Sequence, residues 1–374
     1  MKWTTLLSLF LILACLPTAH SHAQVITRIA TGLENPRGIA VLPDGRLLVV
    51  EAGTGYNTGD PLQYTGKLSL FDDLNHDGDY DDEGEITRIF SHLFTYNTLT
   101  EFNTGHDEVG GAGDIVLLAD GSAYMTQDKA FDGNSIVQLT PDFRAVGDLA
   151  TSNATINALA YDPDRQLLYA VDSGLNRLSS VTLEGEKSTI VDFPLLAHDQ
   201  QAVPSGMAFD PRTGDVLVTL FSGQVIDYYG TLLSLMPGDS KIVRVNPTTG
   251  TVTDEITGLT TAVDVALDDA GNRYVAELTT RWPPAPMSRD FDLFDPAAPP
   301  DDGGYARFSG RVTRYPADGS APVILADGLD LPTNLTWHEG ALYVSVGQGT
   351  PGRPIIGPQG VTHITGEIYR ITIG

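Results

Sequence analysis

The chain has one cysteine, Cys15, among 374 residues. Cys15 lies in an N-terminal apolar stretch that is too short to span a bilayer. Small residues before Gln24 predict a signal peptide over residues 1–23 and a periplasmic or secreted protein. Cleavage there would leave no cysteine, which excludes disulfides, thiol nucleophiles and Cys metal sites. The alternative is a lipoprotein anchored through Cys15.

Basic residues are also scarce, with 22 Lys and Arg against 48 Asp and Glu and a net charge of −26. Such a surface repels nucleic acid and anionic lipid. No segment after the N-terminal stretch is apolar enough to span a membrane. We therefore expect a small-molecule ligand or a protein partner, with no nucleic acid and no membrane span. No pattern indicates an oligomeric state.

Familiar catalytic signatures are missing as well. The chain has neither a G-x-S-x-G nucleophile elbow nor an H-E-x-x-H zinc helix. Residues 347–352 fit G-x-G-x-x-G after a strand, but Pro351 and Pro354 exclude the helix that a dinucleotide site needs.

An internal repeat is what the chain does contain. An apolar strand, a tight turn and a second apolar strand recur six times, and each pair is followed by a third strand. A more polar fourth strand follows the first five units, whereas VITRIAT (25–31) precedes the first. The repeat predicts an all-β protein, a six-bladed β-propeller over residues 24–374, with the N-terminal strand completing the last blade.

Strand alternation assigns each loop to a face of the propeller. The long connections 52–65, 221–239, 279–309 and 347–365 join second to third strands and share one face with the loops that lead into each blade. Long loops on a rigid scaffold concentrate function, so this is the predicted working face. The loop 279–309 contains Trp282 and could cover the funnel or simply pack on its own blade.

An acidic loop carries the clearest metal motif. The motif D-x-N-x-D-G over residues 73–78, followed by two further aspartates, places oxygen ligands at alternate positions and predicts Ca²⁺ binding. The predicted ligands are Asp73, Asn75, Asp77, Asp79 and Asp81. Gly84 stands where an EF-hand has Glu, and the loop should lie opposite the working face. We predict a structural role for it.

Two polar rings should surround the funnel mouth. Aligning the units on their turns places Glu51, Asp172 and Glu277 at the ends of second strands. It places Arg37, Asp114, Asn157, Ser205, Asp264 and Asn334 at the starts of first strands. Such rings could hold a catalytic cation, or they could only cap strands.

Three loop histidines on the working face are candidate bases, namely His106, His198 and His363. Each could equally be an exposed loop residue without a catalytic role.

The segments GLENPRGIAVLPDGRLLVVEAGTG, VPSGMAFDPRTGDVLVT and GEIYRI resemble the ScyD/ScyE family of exported, NHL-like β-propellers. That family is associated with the biosynthesis of an indolic–phenolic pigment, which implies a role in secondary-metabolite assembly. The architecture is more distantly similar to lactonases of the gluconolactonase and paraoxonase type. This similarity implies a central divalent cation, with Asn157, Asp264 and Asn334 as counterparts of its ligands, whereas Arg37 departs from the pattern.

Three functions are consistent with the sequence. The first is an exported, calcium-binding propeller that binds a small molecule or acts as a scaffold. The second is a metal-dependent lactonase or esterase with its cation at the funnel mouth. The third, a quinoprotein dehydrogenase, would need a cationic cofactor cradle on this acidic face.

Overall fold

Six antiparallel sheets are arranged around one axis, which confirms the predicted six-bladed propeller. The computed structural model describes residues 24–129, 133–222, 236–281 and 285–373. The predicted signal peptide, Cys15 and Trp282 lie outside the described residues.

Blades one to three are formed by consecutive segments of the chain. Their strands, after the N-terminal strand β1 (Val25–Leu33), are β2 (Pro36–Val41), β3 (Leu47–Glu51), β4 (Gly66–Phe71) and β5 (Ile86–Leu93); β6 (Thr95–Asn97), β7 (Val109–Leu117), β8 (Ala123–Asp128), β9 (Asn134–Leu139) and β10 (Ala145–Ser152); and β11 (Ile156–Asp162), β12 (Leu167–Asp172), β13 (Arg177–Thr182) and β14 (Lys187–Asp192). A five-residue helix, α1 (Thr98–Phe102), follows β6.

Blades four to six follow the same order, and a hairpin interrupts the last one. Their strands are β15 (Pro204–Asp210), β16 (Asp215–Leu220), β17 (Ser240–Val245) and β18 (Val252–Leu259); β19 (Ala262–Leu267), β20 (Arg273–Glu277), β21 (Gly310–Tyr315) and β22 (Val323–Leu329); and β23 (Asn334–His338), β24 (Ala341–Val346), the hairpin β25 (Pro354–Gly357) and β26 (Gly360–His363), and β27 (Gly366–Thr372).

The N-terminal strand closes the ring as predicted. Strand β1 pairs antiparallel with β27, with Val25 opposite Thr372 and Leu33 opposite Gly366. Blade six therefore has the order β23-β24-β27-β1. This pairing covers the edge of β27, which would otherwise be open to another chain.

Burial follows the position of a strand within its blade. All five residues of β3 are buried because both faces of the strand pack against neighbouring blades. The outer strand β5 is exposed at five of its eight positions, as the polar fourth strands of the repeat predicted. Among the described residues, no helix is long and apolar enough to cross a bilayer.

Candidate functional site

A cavity of about 1240 Å³ lies at the axis, and every blade contributes to its wall. All six residues predicted at the starts of first strands line it: Arg37, Asp114, Asn157, Ser205, Asp264 and Asn334. In blades one to five a β-bulge falls at or beside the ring residue, as between Ala112 and Ile115 or between Ala262 and Asp264. A bulge re-aims a side chain, and these bulges accompany the turn of the ring residues toward the funnel.

Asp114 and Asp264 connect the inner strands of adjacent blades. Asp114 Oδ1 accepts a hydrogen bond from the backbone N–H of Ile115 at 2.8 Å. Asp114 Oδ2 accepts one from the backbone N–H of Leu159, in blade three, also at 2.8 Å. Burial raises the pKa of Asp114 to about 6. The Asp114 carboxylate therefore connects the inner strands of blades two and three, and its raised pKa reflects the loss of water around it.

Asp264 is placed equivalently, three blades further round. Its Oδ1 accepts the N–H of Val265 at 2.8 Å, and its Oδ2 accepts the N–H of Leu335 at 2.8 Å and Nδ2 of Asn334 at 3.0 Å. Burial, and then the nearby charge of Asp114, raise the pKa of Asp264 well above its usual range.

The carboxylates of the two axial aspartates are already engaged within the ring. All four oxygens of the two aspartates already accept backbone N–H groups, and blade one contributes Arg37 to the ring in place of a carboxylate. Across the described part of the chain, no three or more His, Cys, Asp or Glu side chains are already grouped in the arrangement of a metal site.

The other predicted ring does not line the cavity. Glu51 accepts the N–H of Glu34 at 2.7 Å and lies 3.5 Å from Lys67 Nζ. Glu277 repeats this arrangement in blade five, where it accepts hydrogen bonds from the N–H of Thr260 at 3.0 Å and from Arg311 Nε at 2.6 Å.

The third member of this ring, Asp172, bonds Ser152 Oγ and accepts the N–H of Leu175 at 3.0 Å. The three carboxylates cap the turns that lead into or follow strands, which is the structural alternative that the sequence left open.

None of the three candidate histidines lines the cavity. His106 is buried beneath Tyr305, at 4.5 Å between ring centroids, and burial lowers its pKa. His198 is exposed and lies 2.8 Å from Asp239, and His363 is an exposed residue of β26. The described cavity lining contains no histidine at all.

Four insertions, residues 52–65, 94–108, 285–309 and 347–365, pack together on the working face and form what we call the cap. The N–H of Asp107 donates to Gly303 at 3.0 Å, and that of Met287 donates to Gly105 at 2.8 Å. Residues 285–309 of this loop thus pack on the neighbouring insertion, and Arg289 contributes to the cavity lining.

A buried ion pair joins two parts of the cap. Asp107 accepts from Arg353 Nε at 2.6 Å, and both side chains are 0% exposed. Asn97 Nδ2 at 2.7 Å and Thr350 Oγ1 at 2.9 Å donate to the same carboxylate. Asp107 therefore binds the insertion before blade two to the hairpin region of blade six.

Sequence reasoning missed part of the cavity wall. Tyr96, Phe102 and Glu108 line it from the insertion before blade two, and Asp128 lines it from the end of β8. The insertion has no counterpart in the other units, so the repeat alignment could not place it. Asp128 carried a usable signal, because it directly follows the aligned position Gln127.

The acidic loop joins β4 and β5, opposite the cap. Asp73 accepts the N–H groups of Asp77 at 3.1 Å and Gly78 at 3.0 Å. Asp81 accepts the N–H of Thr31 at 2.9 Å, so the loop is bound to the closing strand β1. Calcium binding by this loop stays a prediction.

Curated relatives include Lactonase drp35 of Staphylococcus epidermidis strain ATCC 12228, 24% identical over 173 residues, which are 46% of this chain and 45% of that protein. Lactonase drp35 of Staphylococcus aureus strain MW2 is 24% identical over 162 residues, 42% of this chain and 41% of that protein. The matched regions span less than half the length of these curated relatives.

Solved structures show a similar fold at low identity. A protein of unknown function from Bacteroides thetaiotaomicron has a TM-score of 0.55 at 11% identity, covering 94% of this chain and 76% of that one. The PQQ-bound aldose sugar dehydrogenase from Streptomyces coelicolor has a TM-score of 0.50 at 15% identity, covering 93% and 98%.

These structural likenesses support the fold alone. The family is shown by the sequence itself, because residues 31–263 match one family over more than half of the chain. The chain belongs to the SMP-30/Gluconolactonase/LRE-like region family.

Proposed function

We propose that this protein hydrolyses small cyclic esters in its axial cavity. One observation carries the proposal: residues from all six blades converge on a single cavity of about 1240 Å³. A single well-formed concave cavity with convergent polar groups is the default form of a small-molecule site. The relatives named lactonases and the family membership support the same reaction.

The wall of the cavity favours an aromatic substrate without negative charge. Phe94, Tyr96 and Phe102 line one side, and stacking on such rings contributes about 0.5–1.5 kcal/mol per pair. Five acidic side chains face only two arginines, which disfavours anionic ligands. We extend the proposal to aromatic secondary metabolites, the class that the ScyD/ScyE resemblance implies.

The quinoprotein alternative fits the lining poorly. A multiply anionic quinone needs a cationic cradle, whereas Arg37 and Arg289 are the cationic side chains of the described lining. A binding or scaffold protein is the second candidate function, since the axial carboxylates already accept hydrogen bonds within the ring and none of the three candidate histidines lines the cavity.

Turnover of lactones distinguishes these candidates. We expect the purified protein to open γ- or δ-lactones with aryl substituents, measured as acid release. Ser205→Trp should sharply lower the rate of the reaction because the indole would project from the cavity wall into the space for substrate, whereas the exposed Ser320→Trp should not. Saturable binding of the same lactones without turnover would instead support the binding protein.

We further propose that the acidic loop binds Ca²⁺ and that the protein is exported, where calcium is abundant enough for a weak site. Because the loop contacts β1, calcium should raise the melting temperature by several degrees, and a chelator should reverse the shift. Asp73→Ala should remove this response. An unchanged melting midpoint with and without chelator would contradict the proposal.

A further inference from the structure

Three polar side chains line the wall that blades one and two contribute to the cavity. Arg37 stands at the start of β2, Tyr96 in β6 and Asp128 at the end of β8, and all three line the cavity.

Tyr96 is held in one orientation by its neighbours. Its ring packs over Gly110, where an added Cβ would lie 2.5 Å from the phenol oxygen. Phe94 stacks on it with centroids 5.6 Å apart, and Phe102 meets it edge-on at 5.7 Å. Asp128 and Thr155 are among the side chains that act on its hydroxyl.

Asp128 is 5% exposed and faces few compensating groups. The ionised form of Asp128 is favoured by Tyr96, by the charge of Arg37 and by the N–H of Gly111. The charge of Glu108, which lies in the same insertion as Tyr96, raises the pKa of Tyr96. Burial outweighs these contacts and raises the pKa of Asp128 to about 7. A carboxyl with this pKa can both accept and return a proton near neutral pH.

Arg37 supplies positive charge to the same wall. Its Nη2 donates to the carbonyl of Val109 at 2.6 Å, which fixes the guanidinium. Among the described residues no carboxylate pairs with it within 4.0 Å, so its charge is available to a ligand oxygen.

We propose that Asp128, Tyr96 and Arg37 form an acid–base site for opening a cyclic ester, an inference that rests on the hydrolase function proposed above. Asp128 is the proton-transferring group, Arg37 faces the carbonyl oxygen, and Tyr96 is a positioning residue. The required co-reactant is water.

The reaction balances with these groups alone. The Asp128 carboxylate takes a proton from water as the water oxygen bonds to the carbonyl carbon, and the negative charge on the former carbonyl oxygen faces Arg37. The intermediate then collapses, the ring C–O bond breaks, and the leaving ring oxygen takes the proton from Asp128. A hydroxy acid results, and the Asp128 carboxylate is restored.

The test compares lactone turnover by variants of the full mature chain. Asp128→Asn should lower kcat at least about 100-fold, as expected for loss of a general base. The folded pKa of Asp128 lies above its unfolded value, so ionisation destabilises the fold as pH rises from about 4 to 7. The neutral Asn should therefore leave the melting temperature at pH 8 unchanged or higher, and the exposed Asp142→Asn is the matched control for activity.

Tyr96→Phe tests the positioning role through the pH profile. The wild-type rate should rise through a pKa near 7, and loss of the phenol hydroxyl, which lowers the pKa of Asp128, should move that inflection to higher pH. A 100-fold loss in Asp128→Asn together with this shift supports the site.

Two different results would overturn it. Wild-type turnover that Asp128→Asn retains, or an inflection that Tyr96→Phe leaves in place, refutes this site and leaves the hydrolase proposal standing. A wild-type protein that opens no lactone in the panel refutes the hydrolase and the site with it.

Discussion

Replacing Arg353 with methionine is expected to lower the free energy of unfolding by about 3–5 kcal/mol. The variant leaves the carboxylate of Asp107 charged and fully buried, with only neutral donors from Asn97 and Thr350. A buried charge that loses its partner keeps its desolvation penalty and loses the attraction that offset it. Denaturant unfolding gives the total effect, and hydrogen exchange at the Thr350 amide shows whether the cap opens first.

The matched control is the same substitution at an exposed pair. Arg144 lies 2.8 Å from Asp142, but their side chains are 82% and 62% exposed, so Arg144→Met should cost less than about 1 kcal/mol. Asp107→Asn combined with Arg353→Met should cost clearly less than the sum of the single variants, because no unpaired charge remains. Equal costs for Arg353→Met and Arg144→Met would show that the buried pair does not stabilise the cap.

The repeat predicted the blades because blade formation depends on local pattern. Alternating apolar residues and tight turns recur at each unit, so the strand order and the closing role of β1 followed from the sequence. The cap was less predictable. Strand β6, helix α1 and the hairpin β25–β26 occur once each, and the cap is stabilised by contacts between distant residues such as Asp107 and Arg353.

The candidate site was predictable in part for a related reason. Alignment gives the height of a residue along the axis but not the direction of its side chain. Arg37 and Asn157 lie at bulged strand starts and line the cavity, whereas Glu51 and Glu277 lie in regular pairing opposite Lys67 and Arg311. A basic residue opposite a strand-end carboxylate was visible in the sequence and could have indicated a structural pair.

Gly206→Ala is expected to destabilise the protein by about 3 kcal/mol, near the upper end for overpacking. The added Cβ would lie 2.3 Å from Asp264 Oδ1 and 2.6 Å from both Asp264 Cα and the Val263 carbonyl. Two of these contacts are with backbone, which rotation of a side chain cannot relieve. The first strands of blades four and five would therefore have to separate at the axis.

The equivalent position in blade one provides a second test of the same cause. At Gly38 an added Cβ would lie 2.7 Å from the Asp114 Cα, so Gly38→Ala should have a similar cost. Gly340→Ala is the control, because it has φ +83 but open space around it, and its strain alone should cost about 1–2 kcal/mol. Denaturant unfolding of the three variants ranks them. The opposite result would be that Gly206→Ala and Gly38→Ala lower the free energy of unfolding no more than Gly340→Ala does. That result would show that the close approach of the inner strands beside the axial aspartates does not require glycine at these positions.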